Sequence, residues 1–187
     1  MLVTTLSTPT PFGYWGYSLV GHVLDAVYGG HRRLHCLDLA QLREGWSGEK
    51  DRPILVTSDR PDTALSYLLI TSNFPMLAFF DHPRDALAYA VLFDKLSPTD
   101  AIRFCSGYFS ALMGCTGSEH VRVFGPAAFD GSVRALIEAI FAAVGAEVDP
   151  APVTAVTERV VAEAELGLEA TVGDVLRRRF FNGDTLA

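Results

Sequence analysis

The sequence predicts an α/β domain: three layers, α/β/α, built on a mostly parallel sheet. Three observations carry that expectation. Residues 76–80 (MLAFF) are five consecutive apolar residues, too few for a helix and suited to a strand buried on both faces. Pro83 then biases His82 away from helical angles, and from Arg84 onward Ala, Leu, Tyr and Phe resume at helical spacing. Strand, tight turn and helix make half of a parallel βαβ unit, whose turn lies at the carboxyl edge of the sheet, where α/β proteins bind ligands. Finally, further short apolar runs alternate with helical patterns along the rest of the chain.

Residues 1–187 are long enough for a single domain with a substantial core and too short for two comfortable ones. A hydrophobic content of 49% excludes a disordered chain and leaves less polar surface than usual, which is compatible with a homo-oligomer or a covered face. The 15 basic and 22 acidic residues give a net charge of −7, arguing against nucleic-acid or anionic-membrane partners. Cys36, Cys105 and Cys115 have no paired metal spacing and read as reduced thiols. The N-terminal residues lack the pattern of a signal peptide, and no apolar run approaches the ~20 residues that span a bilayer. The expected compartment is the cytoplasm.

In chain order, residues 2–6 are a β-branched run that suits a first strand. Residues 12–18 (FGYWGYS) interleave two glycines with four aromatics and read as a loop. Leu19, Val23, Leu24 and Val27 follow at helical spacing and stop at Gly29-Gly30. A glycine-containing loop that opens a helix has the geometry of a phosphate cradle, although this one is no strict P-loop; the alternative is aromatics packed into a core or an interface. Residues 34–37 suit a short strand, and His31 and His35 a solvated pair. Residues 53–57 (PILVT) read as a second buried strand, after which Asp62 caps a helix from Thr63 to Thr71. Ser97-Pro98-Thr99-Asp100 is a helix start, with Ile102, Cys105, Phe109 and Leu112 as its inward stripe. Residues 120–124 alternate like a strand. Asp130 or Ser132 caps the next helix, whose inward face runs from Val133 to Val144 and stops at Gly145. Residues 149–152 read as a turn before a helix over 153–166, and residues 172–187 as a tail containing Arg177-Arg178-Arg179.

The order of these pieces resembles the sulfotransferase family, which has a P-loop-type fold and uses 3′-phosphoadenosine-5′-phosphosulfate as sulfate donor. In that family a loop Pro-Lys-Ser-Gly-Thr-Thr-Trp cradles the 5′-phosphosulfate. The resemblance puts Gly13-Tyr14-Trp15-Gly16-Tyr17-Ser18-Leu19 there, with Gly16 matching, Ser18 keeping a hydroxyl, and Tyr14 in the lysine's place. Asp59 occupies the place of the family's histidine base; to serve, its pKa would have to rise towards the working pH. The family's 3′-phosphate motif Arg-Asn-Pro-Lys-Asp reads Asp81-His82-Pro83-Arg84-Asp85 here, and its following serine is Tyr89. One charge pair at ~4 Å and an effective dielectric of ~20 is worth about 4 kcal/mol before desolvation, so an acid in place of the arginine swings that contribution by roughly twice as much. Arg178-Arg179-Phe180 and Gly183-Asp184-Thr185 keep part of a C-terminal basic motif.

Scaffold retained and donor motifs eroded imply a sulfotransferase-like protein that no longer transfers sulfate. It would bind a small anionic ligand or a protein partner through Tyr14, Trp15 and Tyr17, so that Trp15→Ala abolishes binding while leaving the fold intact. The alternative is an active, divergent sulfotransferase. There Gly16, Tyr17 and Ser18 present amides to the donor, Arg84 with Arg178 or Arg179 replaces the missing cations, and Asp59 is the base. Its cofactor would be 3′-phosphoadenosine-5′-phosphosulfate; under the leading reading the cofactor is unassigned. A hydrolase on the same layout finds no Gly-x-Ser-x-Gly elbow and no activated cysteine in the sequence.

Overall fold

The computed structural model describes residues 1–46, 52–58, 63–115 and 117–181. Among them are five strands, β1 (Leu2–Ser7), β2 (Arg32–His35), β3 (Ile54–Ser58), β4 (Met76–Phe79) and β5 (Val121–Phe124). They form one sheet in the order β2-β3-β1-β4-β5, and every pairing is parallel. The connecting helices are α1 (Pro11–Tyr28), α2 (Leu39–Trp46), α3 (Thr63–Thr71), α4 (Pro83–Leu92) and α5 (Pro98–Cys115). A 3-10 turn at Pro126–Phe129, α6 (Val133–Ala143), α7 (Pro150–Glu163) and α8 (Val172–Phe181) complete the chain. Among the described residues no helix is long and apolar enough to cross a membrane.

The central strands are buried on both faces, so they lack the polar alternation of an exposed sheet. Their period of two still sorts side chains between two cores. Val3, Leu55, Leu77 and Phe79 face α1, α6, α7 and α8. Leu2, Leu6, Ile54, Val56, Met76 and Ala78 face α2, α3 and α5 through Leu42, Leu65, Leu69, Tyr108 and Leu112. The three-layer expectation therefore holds.

One correction bears on function. The aromatic segment 12–18 is helix, not loop: α1 begins at Pro11, eight residues before Leu19. Thr10 is its N-cap, the Oγ1 accepting from Gly13 N–H at 3.3 Å, and proline follows at the first helical position. Two helical glycines cost about 1 kcal/mol each on propensity. Here they permit close approach instead. A Cβ on Gly16 would lie 2.4 Å from the Phe79 ring, and one on Gly13 would lie 2.0 Å from Thr8 O. Trp15 is 1% exposed and sits in the core with Phe12 and Leu19.

The same cap-then-proline signal starts α7, where Asp149 accepts from Ala151 N–H at 3.1 Å and Pro150 opens a helix rather than a turn. The tail is partly α8. β2 begins two residues earlier than expected, at Arg32. On α5 the buried stripe is Ala101, Cys105, Tyr108 and Leu112, while Ile102 lies 100° round the helix and is exposed. Phe109 is partly buried against the same core. Ser132 caps α6 through Ala135 N–H at 3.2 Å, and Gly29 ends α1 with φ 72°. Asp59, the Asp62 cap and Gly183-Asp184-Thr185 lie outside the described residues.

Candidate functional site

The carboxyl ends of β1 and β4 are adjacent in the sheet, Ser7 opposite Phe79. Each strand runs into a short turn and then a helix whose first residue is proline. Since α1 starts at Pro11, the turn at the cradle position is Thr8-Pro9-Thr10. Its amides are largely committed. Thr8 N–H donates to Phe79 O at 3.0 Å, Thr10 N–H to Thr8 O at 2.8 Å, and Tyr14 N–H to Thr10 O at 2.9 Å. Gly13 N–H is taken by the Thr10 cap. Pro9 and Pro11 have no N–H to give. Phe12 supplies the remaining amide of the stretch, so little is left to surround a phosphate.

The turn after β4 is tied to the first one. Asp81 N–H donates to Thr8 Oγ1 at 3.2 Å, and that hydroxyl lies 3.0 Å from Thr10 Oγ1. His82 caps α4, its Nδ1 accepting from Arg84 N–H at 3.3 Å. Burial pushes the Asp81 carboxyl up to about 6; hydrogen bonding to Thr10 opposes the rise and the Asp85 charge adds to it.

Beside Asp81 opens a cavity of about 560 Å³, walled by the β1–α1 turn, α4, the 3-10 turn and α8. That volume suits a small organic molecule. Its walls are mainly apolar: Phe12, Tyr89, Phe93, Phe129 and Leu176 contribute. Phe12 and Phe129 are 4.4 Å apart between ring centroids, and Tyr89 stacks on Phe93 at 4.6 Å. Asp85, Asp130 and Arg177 are the other charged residues on its lining, with Asp81. Arg177 donates to Asp174 Oδ1 at 2.8 Å and to Gly173 O at 3.3 Å. Hydrogen bonds from Thr171 and the nearby Arg177 hold the Asp174 carboxyl below the ordinary range.

The candidate residues read from sequence fall in several places. Gly16 is packed under Phe79 and Trp15 lies in the core. Tyr17 is buried, its hydroxyl donating to Ser58 O at 2.5 Å. Ser18 faces His22 at 3.5 Å, and Tyr14 is partly exposed with its ring 6.4 Å from that of Tyr17. Arg84 points outward, its side chain 83% exposed and 3.2 Å from Asp85. Arg179 pairs with Glu163 on α7 at 3.1 Å, and Arg178 is exposed. None of these eight lines the cavity. The structure does not assemble them into one site.

It does bring together Asp81, Asp85 and Tyr89 with Arg177, the neighbour of the arginines singled out from sequence. Asp81 and Tyr89 were legible as positions where the resemblance implies a nucleotide-binding arginine and serine. Phe129, Asp130 and Arg177 carried no such signal, because the cavity gathers segments from both ends of the chain.

No family model and no curated protein matches the chain. Solved structures do match, among them mouse sulfotransferase SULT7A1 complexed with PAP. The TM-score is 0.64 at 10% sequence identity, over 94% of this chain and 73% of that one. At that identity the likeness shows the fold: a sulfotransferase-like, P-loop-type α/β domain.

Proposed function

We propose that this chain is a sulfotransferase-like protein that transfers no sulfate and binds a small ligand in the cavity beside Asp81. The observation that carries the reading is the state of the strand-to-helix turn. A donor phosphosulfate needs several free amides and a cation, and the turn offers two prolines, committed N–H groups and a neighbouring acid. The matched mouse sulfotransferase is complexed with PAP; here an acid, Asp81, stands where the resemblance implies an arginine. The same carboxylates turn the expectation of an anionic ligand towards a neutral or cationic one. A cytoplasmic location is part of the proposal.

The test is an assay with sulfate-labelled 3′-phosphoadenosine-5′-phosphosulfate and a panel of phenols and alcohols. Label in the acceptors should not exceed the protein-free control. Transfer above that control, abolished by Asp59→Asn, would overturn the proposal in favour of an active enzyme with Asp59 as base.

A further inference from the structure

We infer that the cavity takes an amphipathic organic cation, an aromatic or aliphatic body bearing one ammonium group that pairs with Asp81. The inference rests on the reading of this cavity as the ligand site and specifies the chemistry it selects.

Charge is the first ground. Among the described residues, three carboxylates, Asp81, Asp85 and Asp130, line the cavity against one cation, Arg177. Arg177 is already engaged by Asp174 at 2.8 Å and by Gly173 O, so its charge is largely answered before any ligand enters. Asp85 has Arg84 at 3.2 Å on the solvent side. Asp81 is the most enclosed of the three, and among the described residues no cationic side chain forms an ion pair with it. An anionic ligand would add like charge to this set. A cation would supply the partner that makes an ionised, half-buried carboxylate favourable.

The walls are the second ground. A bare inorganic cation brings no apolar surface of its own to bury against the aromatic walls, whereas an organic body does. Phe12 against Phe129 and Tyr89 against Phe93 present ring faces and edges within one cavity. Such rings attract a cation electrostatically as well as removing apolar area from water. Volume is the third: about 560 Å³ accommodates a small organic molecule, with room beyond the head group for a ring or chain.

The experiment is isothermal titration of the purified chain with 4-phenylbutylamine, 4-phenylbutanol and 4-phenylbutyrate, which share a body and differ in head-group charge. The amine should bind at least about tenfold more tightly than the alcohol, and the carboxylate should not bind. Asp81→Asn should remove the amine's advantage and leave the alcohol unchanged. Ala88→Trp, which narrows the cavity from an exposed position on α4, should abolish both, and it serves if Asp81→Asn does not fold. Equal affinity for amine and alcohol, or preference for the carboxylate, would overturn the cation inference while leaving the cavity as a binding site. Binding undiminished in Ala88→Trp, or no binding of any of the three at millimolar concentration, would overturn the cavity reading itself.

Discussion

Two neighbouring segments share one local design and have opposite fates. After β1, Thr10 and Pro11 start α1; after β4, His82 and Pro83 start α4. Both lie at the carboxyl edge of the same sheet, where ligands bind in open α/β folds. The first segment closes on the protein: Trp15 is buried, Gly16 meets Phe79, and the turn's amides are spent internally. The second stays open, with Asp81, Asp85 and Tyr89 on a cavity. Of the aromatic residues that look most like a binding surface, Trp15 and Tyr17 are buried and Tyr14 is exposed, and the acid that looks like a lost nucleotide contact lines the cavity. Position on the sheet edge makes a site available; packing decides what each turn gives it, a wall of Thr10, Pro11 and Phe12 from the first and the carboxylates of Asp81 and Asp85 from the second.

Trp15→Ala should break the contrast most severely. Removing a fully buried tryptophan costs about 3–5 kcal/mol, and at 2–4 °C per kcal/mol for a chain of this size the thermal midpoint should fall by roughly 6–20 °C. Tyr89→Ala, on the open segment, should cost less than about 1 kcal/mol. Comparable losses in the two melts would erase the distinction. Gly16→Ala comes next, with overpacking against the Phe79 ring expected to cost about 1–3 kcal/mol, read by urea unfolding.

A pH titration of stability sharpens the other half of the comparison. The folded Asp81 carboxyl titrates near 6, above its unfolded value of 3.8, so the native state binds its proton more tightly. Between those values the native state holds more protons than the unfolded one, so this group's contribution is fully present below about pH 4 and is lost as pH rises through 6. Asp85, Asp130, Tyr89 and Arg177 share the cavity with it. At about 1.4 kcal/mol per pH unit the loss is bounded by roughly 3 kcal/mol, and solvent at the cavity mouth reduces it. The difference between wild type and Asp81→Asn isolates the effect; a difference independent of pH from 4 to 7 would contradict it. Smallest of all, Arg84→Ala should change stability by less than about 0.5 kcal/mol, because its ion pair with Asp85 is solvent-exposed.

The fold was legible because its strongest signals are local. Short apolar runs at Leu2, Ile54 and Met76 mark strands that both cores bury, and Ser97-Pro98 and Ser132 mark helix starts. The start of α1 was not, although Thr10-Pro11 carries the same cap-then-proline signal. The glycines at 13 and 16 imitate a loop, and only the approach of Phe79 and Thr8 explains why a helix needs them there. Asp149-Pro150 was obscured in the same way by a second proline at 152. The cavity was beyond sequence reading for a different reason. Thr10, Asp81, Asp130 and Arg177 are spread over most of the chain, and their meeting is a consequence of strand order. Motif positions pointed to Asp81 and Tyr89, but the apolar wall opposite them has no local signature.

The most direct measurement is a thermal-shift titration of the purified protein with adenosine 3′,5′-bisphosphate, with ATP as control. Ligand at ~100 times its dissociation constant stabilises a protein by about 2.7 kcal/mol, which here would raise the midpoint by roughly 5–11 °C. The expected result is no shift with either nucleotide, since the turn after β1 has few amides to offer and Asp81 stands beside it. A selective, saturable rise with adenosine 3′,5′-bisphosphate would contradict this, and would mean that the cavity still accepts the nucleotide in spite of its carboxylates.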